Sequence, residues 1–195
     1  MTDCDCPIHT DGDPPTFPLG VPFADRVSVE TISAHVARRI YEAHHSYMPS
    51  LPNVNQTHHG VLLDGHLVGS VTYRHPLISQ MGDVSGGRIV EVARVCIGVD
   101  MPNLASAGLK RSQERFEREY AARNDIRLLL TFVREDYAGS MLRALQTAGW
   151  EYDGVRETSQ PGNRDDAEIH DYDKERWVYD LGGTAGTQTT LGGSP

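Results

Sequence analysis

Long apolar runs are missing from this 195-residue chain. No segment approaches the roughly 20 consecutive apolar residues that cross a bilayer, so no membrane span is expected. The first 22 residues hold prolines and aspartates where a secretory signal would place basic and then apolar residues, so a cytoplasmic protein is expected. Cysteine is scarce as well. Cys4, Cys6 and Cys96 leave an odd thiol, and two of them share one proline-rich stretch, which argues against a disulfide framework and fits a reducing compartment. Lysine is almost absent: Lys110 and Lys174 stand against sixteen arginines, a balance that suits a GC-rich genome or an acid-rich, halophile-like proteome.

The net charge of −9 is uneven along the chain. Residues 1–30 carry six acids against one base, and residues 151–195 carry ten against four. Residues 31–150 carry eleven acids and thirteen bases, a net +2. The centre could therefore present a basic face to a polyanion, whereas acidic ends serve solubility equally well.

Composition divides the chain into a Pro/Asp-rich arm over 1–25, a single α/β domain over 26–181 and a Gly/Thr/Ser-rich tail over 182–195. Within the domain, Ser28 to Tyr41 carries Ile32, Val36 and Ile40 at helical spacing behind a cap-like serine. Two Val/Leu-rich runs, His58 to Leu63 and His66 to Arg74, flank Asp64-Gly65, a strong hairpin signal. Arg88 to Val99 and Ile126 to Val133 predict buried strands, each followed by a helix, Ala105 to Arg123 and Gly139 to Ala148. Trp150 to Val155 and Arg176 to Leu181 predict closing strands. Antiparallel strands come first and a βαβ unit follows.

A long strand feeding a turn and a basic helix in this order resembles the GNAT acyltransferase fold. The resemblance implies an α+β arrangement: a mixed, mostly antiparallel twisted sheet flanked by helices, with a V-shaped split between two central strands. It also implies acetyl-CoA or another acyl-CoA as cofactor. Within Val90 to Gly154 the wording is similar to one branch, the phage Mu Mom-type DNA-modification proteins. EVARVCI (Glu91 to Ile97) resembles that branch's acid-x-x-Arg strand, Pro102 to Ser106 its Asn-x-x-Ser turn, and Thr131 to Trp150 its aromatic-acid-Gly-helix-Trp block. Upstream, His44-His45-Ser46-Tyr47 and HHGVLLDGHLVGSV are similar to its His/Tyr segment and the strands after it. Two places depart from ordinary GNAT enzymes. Their Arg/Gln-x-x-Gly-x-Gly/Ala turn reads Asn103 to Gly108 (NLASAG) here, and Leu145 stands where many carry a tyrosine acid.

These pieces mark a set of candidate site residues. Backbone around Val95, Cys96 and Ile97 would hydrogen-bond a cofactor carbonyl, or form a plain core strand. Asn103, Ala105, Ser106 and Ala107 would bring backbone amides to a phosphate at the helix start, and Ser140 would cap the next helix or touch ligand. Asn103 and Ser106 need be no more than caps. Glu135, Asp136 and Tyr137 follow a strand end, where open sheets place ligands and where a carboxylate can take a proton or orient an amine. Solvated loop acids are the plainer reading. His45 and Tyr47 complete the catalytic candidates. Arg94, in an apolar strand, needs a partner such as Glu91, an acid at 135–136 or a substrate anion. Arg111 and Arg115 could meet DNA phosphate, although interleaved glutamates favour a self-paired helix face. No metal is expected. His44, His45, His58 and His59 are the residues that would hold iron or zinc, and neighbouring histidines point different ways.

Three functions fit, all compatible with a homodimer. The first is Mom-like acyl-CoA-dependent modification of adenine at N6, with DNA as partner and protection from restriction as outcome; it requires base flipping. The second is GNAT N-acetylation of a small-molecule or protein amine, which overall acidity favours and Leu145 disfavours. The third is a non-catalytic binding module on the same fold.

Overall fold

The computed structural model describes residues 21–45, 51, 56–76, 83–84, 87–137, 139–156 and 173–182. The arm and tail expected at the two ends lie almost wholly outside the described residues, as does Tyr47.

The first elements differ from the expected helix at Ser28. After a single turn, α1 (Phe23–Arg26), residues Val27–Thr31 form strand β1 and pair antiparallel with β2 (Gln56–Leu63). Val27, Val29 and Thr31 are β-branched and alternate along an edge, which suits a half-buried strand better than a helix turn. Helix α2 (Ala34–His44) starts later. Its cap is Ser33, whose Oγ accepts from the Val36 N–H at 3.3 Å.

The hairpin of β2 and β3 (His66–Arg74) turns at Asp64 and Gly65, with φ of 51° and 81°. Two positive φ values make the primed turn that matches strand twist. A two-residue strand β4 (Asp83–Val84), absent from the expected order, pairs with the start of β5 (Gly87–Ile97). Helix α3 (Leu104–Phe116) continues through a π-helical turn (Glu117–Ala121) into α4 (Ala122–Asn124). Then come β6 (Ile126–Arg134), α5 (Met141–Thr147), β7 (Glu151–Arg156) and β8 (Lys174–Asp180).

Seven strands run in the order β1-β2-β3-β5-β6-β8-β7, with β4 on the side of β5. Only the β5–β6 pairing is parallel, as the α3 crossover requires. Helix α2 covers β2, β3 and β5 on one face; α3 and α5 pack together on the other. Alternation along β5 divides the side chains between the faces. Val90, Val92, Val95 and Ile97 join the larger core with Leu109, Phe116 and Leu145. Cys96 joins a smaller cluster with Ala37, Ile40 and Tyr41 beneath α2.

One close contact seats α3. A Cβ on Gly108 would lie 2.9 Å from Val61 Cγ1 of β2, so only glycine lets the helix approach the sheet this closely.

Candidate active site at a fork in the sheet

Strands β5 and β6 pair from Arg88 opposite Ile126, through a register shift before Ile89, to Glu91 opposite Leu130, and no further. Yet β5 runs on to Ile97 and β6 to Arg134. The strands part there. At the crotch the Thr131 hydroxyl donates to the Val92 carbonyl at 2.8 Å, which satisfies the first backbone group that β6 leaves behind. Beyond it, β5 is held from the β3 side, with the Gly98 N–H on the Val68 carbonyl at 2.9 Å. Strand alternation then turns the N–H and C=O groups of Val95 and Ile97 into the fork. A V-shaped split between two central strands is thus present.

The fork leads to the start of α3. Asn103, with φ of 65°, turns the chain into the helix, and its side chain makes no cap hydrogen bond. The Leu104 and Ala107 amides reach the Met101 and Asn103 carbonyls at 3.2 and 2.9 Å. Among the described residues the Ala105 and Ser106 amides have no such partner. Helix starts of this kind, with small side chains around them, accept phosphate oxygens. Val95, Ile97, Met101, Tyr137 and Met141 are half-buried and pack against the larger core. The β5 backbone groups turned into the fork and the open amides at the start of α3 thus lie at the same end of the sheet.

On the α2 face the fork is polar. The Tyr41 hydroxyl, fully buried, lies 2.8 Å from Thr72 Oγ1, and Thr72 Oγ1 lies 2.9 Å from His58 Nδ1. Burial pushes the Tyr41 phenol well above its ordinary range, so it stays protonated. His45, at the end of α2, sets its ring edge-on to Tyr41 at 5.8 Å. Burial, helped by the Arg94 charge, lowers its pKa to about 4, and the imidazole is neutral at physiological pH. Arg94 donates to the Ala93 carbonyl at 2.7 Å. Glu91, one of the partners suggested for Arg94, accepts from Arg74 Nε and Nη2 at 2.9 and 2.7 Å, a bidentate pair. Lys174, half-buried at the start of β8, shares the electrostatic environment of Glu91, Arg94 and Arg74. Sequence reading missed Arg74, Lys174, Tyr41 and Thr72. A lysine in an arginine-rich chain was the one available signal.

The remaining candidates fall as follows. Glu135 and Asp136 are exposed at the turn after β6, and Arg134 pairs with Asp136 at 2.5 Å, lowering its pKa. Tyr137 is half-buried against Gly139, and burial raises its pKa. Ser140 is exposed before α5 and makes no side-chain cap. Leu145 is fully buried in the core and can donate no proton. Arg115 donates to the Val29 carbonyl at 2.8 Å, tying α3 to β1, and Arg111 to the Ala24 carbonyl at 3.1 Å, tying it to α1. His58 and His59 bond Thr72 and Ser112 on opposite faces of the sheet. The described residues contain no cluster of three metal-ligating side chains. No described helix is long and apolar enough to cross a membrane.

No family model and no curated protein matches the sequence. Solved structures do match the fold. Arabidopsis thaliana NAA60 in complex with acetyl-CoA superposes with a TM-score of 0.56 at 14% identity, covering 80% of this chain and 99% of that one. The Escherichia coli ribosomal-protein-S18-alanine N-acetyltransferase gives 0.54 at 13%, covering 83% and 97%. A GNAT family acetyltransferase from Elizabethkingia anophelis with acetyl-CoA bound gives 0.52 at 11%, covering 80% and 99%. They agree with the GNAT part of the sequence resemblance and do not extend to its Mom-type part. The chain has the fold of the GNAT acetyltransferases.

Proposed function

We propose that this protein is an N-acyltransferase that moves the acyl group of acetyl-CoA, or a related acyl-CoA, to an amine entering on the α2 face of the fork. The observation that carries the reading is the end of β5–β6 pairing at Glu91 and Leu130, beside a helix start whose Ala105 and Ser106 amides are open. When bound, the cofactor supplies a thioester carbonyl as electrophile. The Val95 and Ile97 backbone would hold it in the fork, and the first turn of α3 would take its pyrophosphate.

The chain's own groups supply the proton handling. Tyr137, a phenol protonated at neutral pH as tyrosine ordinarily is, can donate to a departing thiolate. It would replace the tyrosine acid that Leu145 cannot provide. Neutral His45, with a pKa of about 4, is too weak a base to deprotonate an ammonium, but it can accept a hydrogen bond from an uncharged amine and orient it. Asp136, whose carboxyl Arg134 holds below its ordinary range, stays charged and with Glu135 draws cationic amines to the mouth.

Modification of a DNA base is the second reading, supported by the Mom-like wording of residues 90–154 and by the chemical kinship of an exocyclic amine to other amine acceptors. Thiol release from acetyl-CoA, followed across a panel of peptide N-termini, small amines and duplex DNA, tests both. Release with peptides or small amines supports the first reading. A new adenine-derived nucleoside mass supports the second. Release with none of them refutes both.

A further inference from the structure

We infer that Lys174 is itself an acyl acceptor, so that the protein modifies its own chain at this amine when an acyl-CoA is bound. The inference rests on the acyl-transfer reading above. The chain's two lysines are placed very differently. Lys110 is exposed on α3. Lys174 is half-buried at the first position of β8, opposite Arg134, the last residue of β6. Trp177 and Tyr179 of β8 pack into the α3-side core, so alternation along the strand turns Lys174 to the other face. That is the face of Arg74, Glu91 and Arg94, the charged groups that act on its ammonium. Lys174 and Arg94 therefore stand on the same face of the sheet, the face on which the acceptor amine is proposed to enter.

The residue type matters here. A chain that uses arginine at sixteen of eighteen basic positions keeps a lysine at this one. A guanidinium holds its proton under all physiological conditions, whereas an ammonium can lose one and become a nucleophile. Burial lowers the proton affinity of Lys174, Arg94 and Arg74 add to this, and Glu91 opposes it. In the reaction the neutral nitrogen attacks the thioester carbonyl. An N–C bond forms, the C–S bond breaks with its electron pair on the CoA sulfur, and the surplus proton on nitrogen passes to the thiolate or to water. The products are an amide on Lys174 and free CoA. One positive charge disappears beside Arg94 and Glu91, which alters the acceptor side of the site.

The test incubates the full chain, Lys174→Arg and Lys110→Arg with acetyl-CoA, and follows acetylation by intact mass and peptide mapping, with thermal-shift binding of acetyl-CoA measured in parallel. One acetyl group is expected, placed on Lys174 about tenfold or more faster than on exposed Lys110. It should vanish in Lys174→Arg and persist in Lys110→Arg. Binding of acetyl-CoA without label on Lys174, or label there no faster than on Lys110, overturns the inference and leaves acyl transfer standing. Absence of acetyl-CoA binding overturns both.

Discussion

His59 makes the stability of this fold depend on pH in a calculable way. Its ring is 2% exposed, with Nδ1 at 2.9 Å from Ser112 Oγ, which itself lies 2.8 Å from the Tyr73 hydroxyl. Burial is the main reason its pKa falls from 6.5 to about 4; Arg115 and His58 lower it further, while Glu119 and the Ser112 bond oppose them. A histidine depressed in the folded state binds its proton more readily when unfolded. Stability from this residue is therefore complete above about pH 6.5 and is lost as the pH falls toward 4. A shift of this size, at 1.36 kcal/mol per unit, is worth about 3 kcal/mol at the low end of that window. Urea unfolding of the wild type and of His59→Gln, at pH 7, 5.5 and 4.5, isolates the contribution. Glutamine keeps a partner for Ser112, and other groups, His45 included, cancel in the difference. The wild type should lose about 2.5 kcal/mol more than the variant between pH 7 and 4.5. Parallel losses in the two proteins would refute the assignment.

Two further predictions concern packing. Gly108→Ala gains about 1 kcal/mol of helix propensity but drives a methyl into Val61, an overpacking cost of about 1–3 kcal/mol, and the net should be a loss. A gain in denaturant midpoint would mean the contact is not tight. Glu91→Ala strands the buried Arg74 guanidinium and should cost roughly 3–5 kcal/mol, while a paired replacement of both residues by methionine recovers most of it; a double variant no better than Glu91→Ala contradicts the pairing.

Much of the fold was legible because its signals are local. Asp64-Gly65 demands a primed turn, Arg88 to Val99 and Ile126 to Val133 are apolar enough for central strands, the first of which ends at Ile97, and Gly149 ends α5 at a φ of 87°. The reading failed where a tertiary partner decided the outcome. VSVET is a strand because β2 offers it an edge, and of the helically spaced Ile32, Val36 and Ile40 only the last two lie in the helix, which starts after Ser33. Strand β4 is too short to leave a pattern. The turn at Asn103 and the strand through Val95 to Ile97 were visible as motifs. The Arg74–Glu91 pair and the Tyr41–Thr72–His58 chain were not, since each joins residues far apart in sequence across strand register that no local pattern encodes.

The most direct test of the account is calorimetric titration of acetyl-CoA into the wild type and into Ser106→Asp. An aspartate in the first turn of α3 suits the helix dipole, so the variant should fold at least as stably. The same charge beside the Ala105 and Ser106 amides would repel a pyrophosphate. The account predicts binding to the wild type and affinity at least about tenfold weaker in the variant, a difference of about 1.4 kcal/mol. No binding to the wild type, or equal binding to both, would contradict the claim that this fork and helix start hold an acyl-CoA.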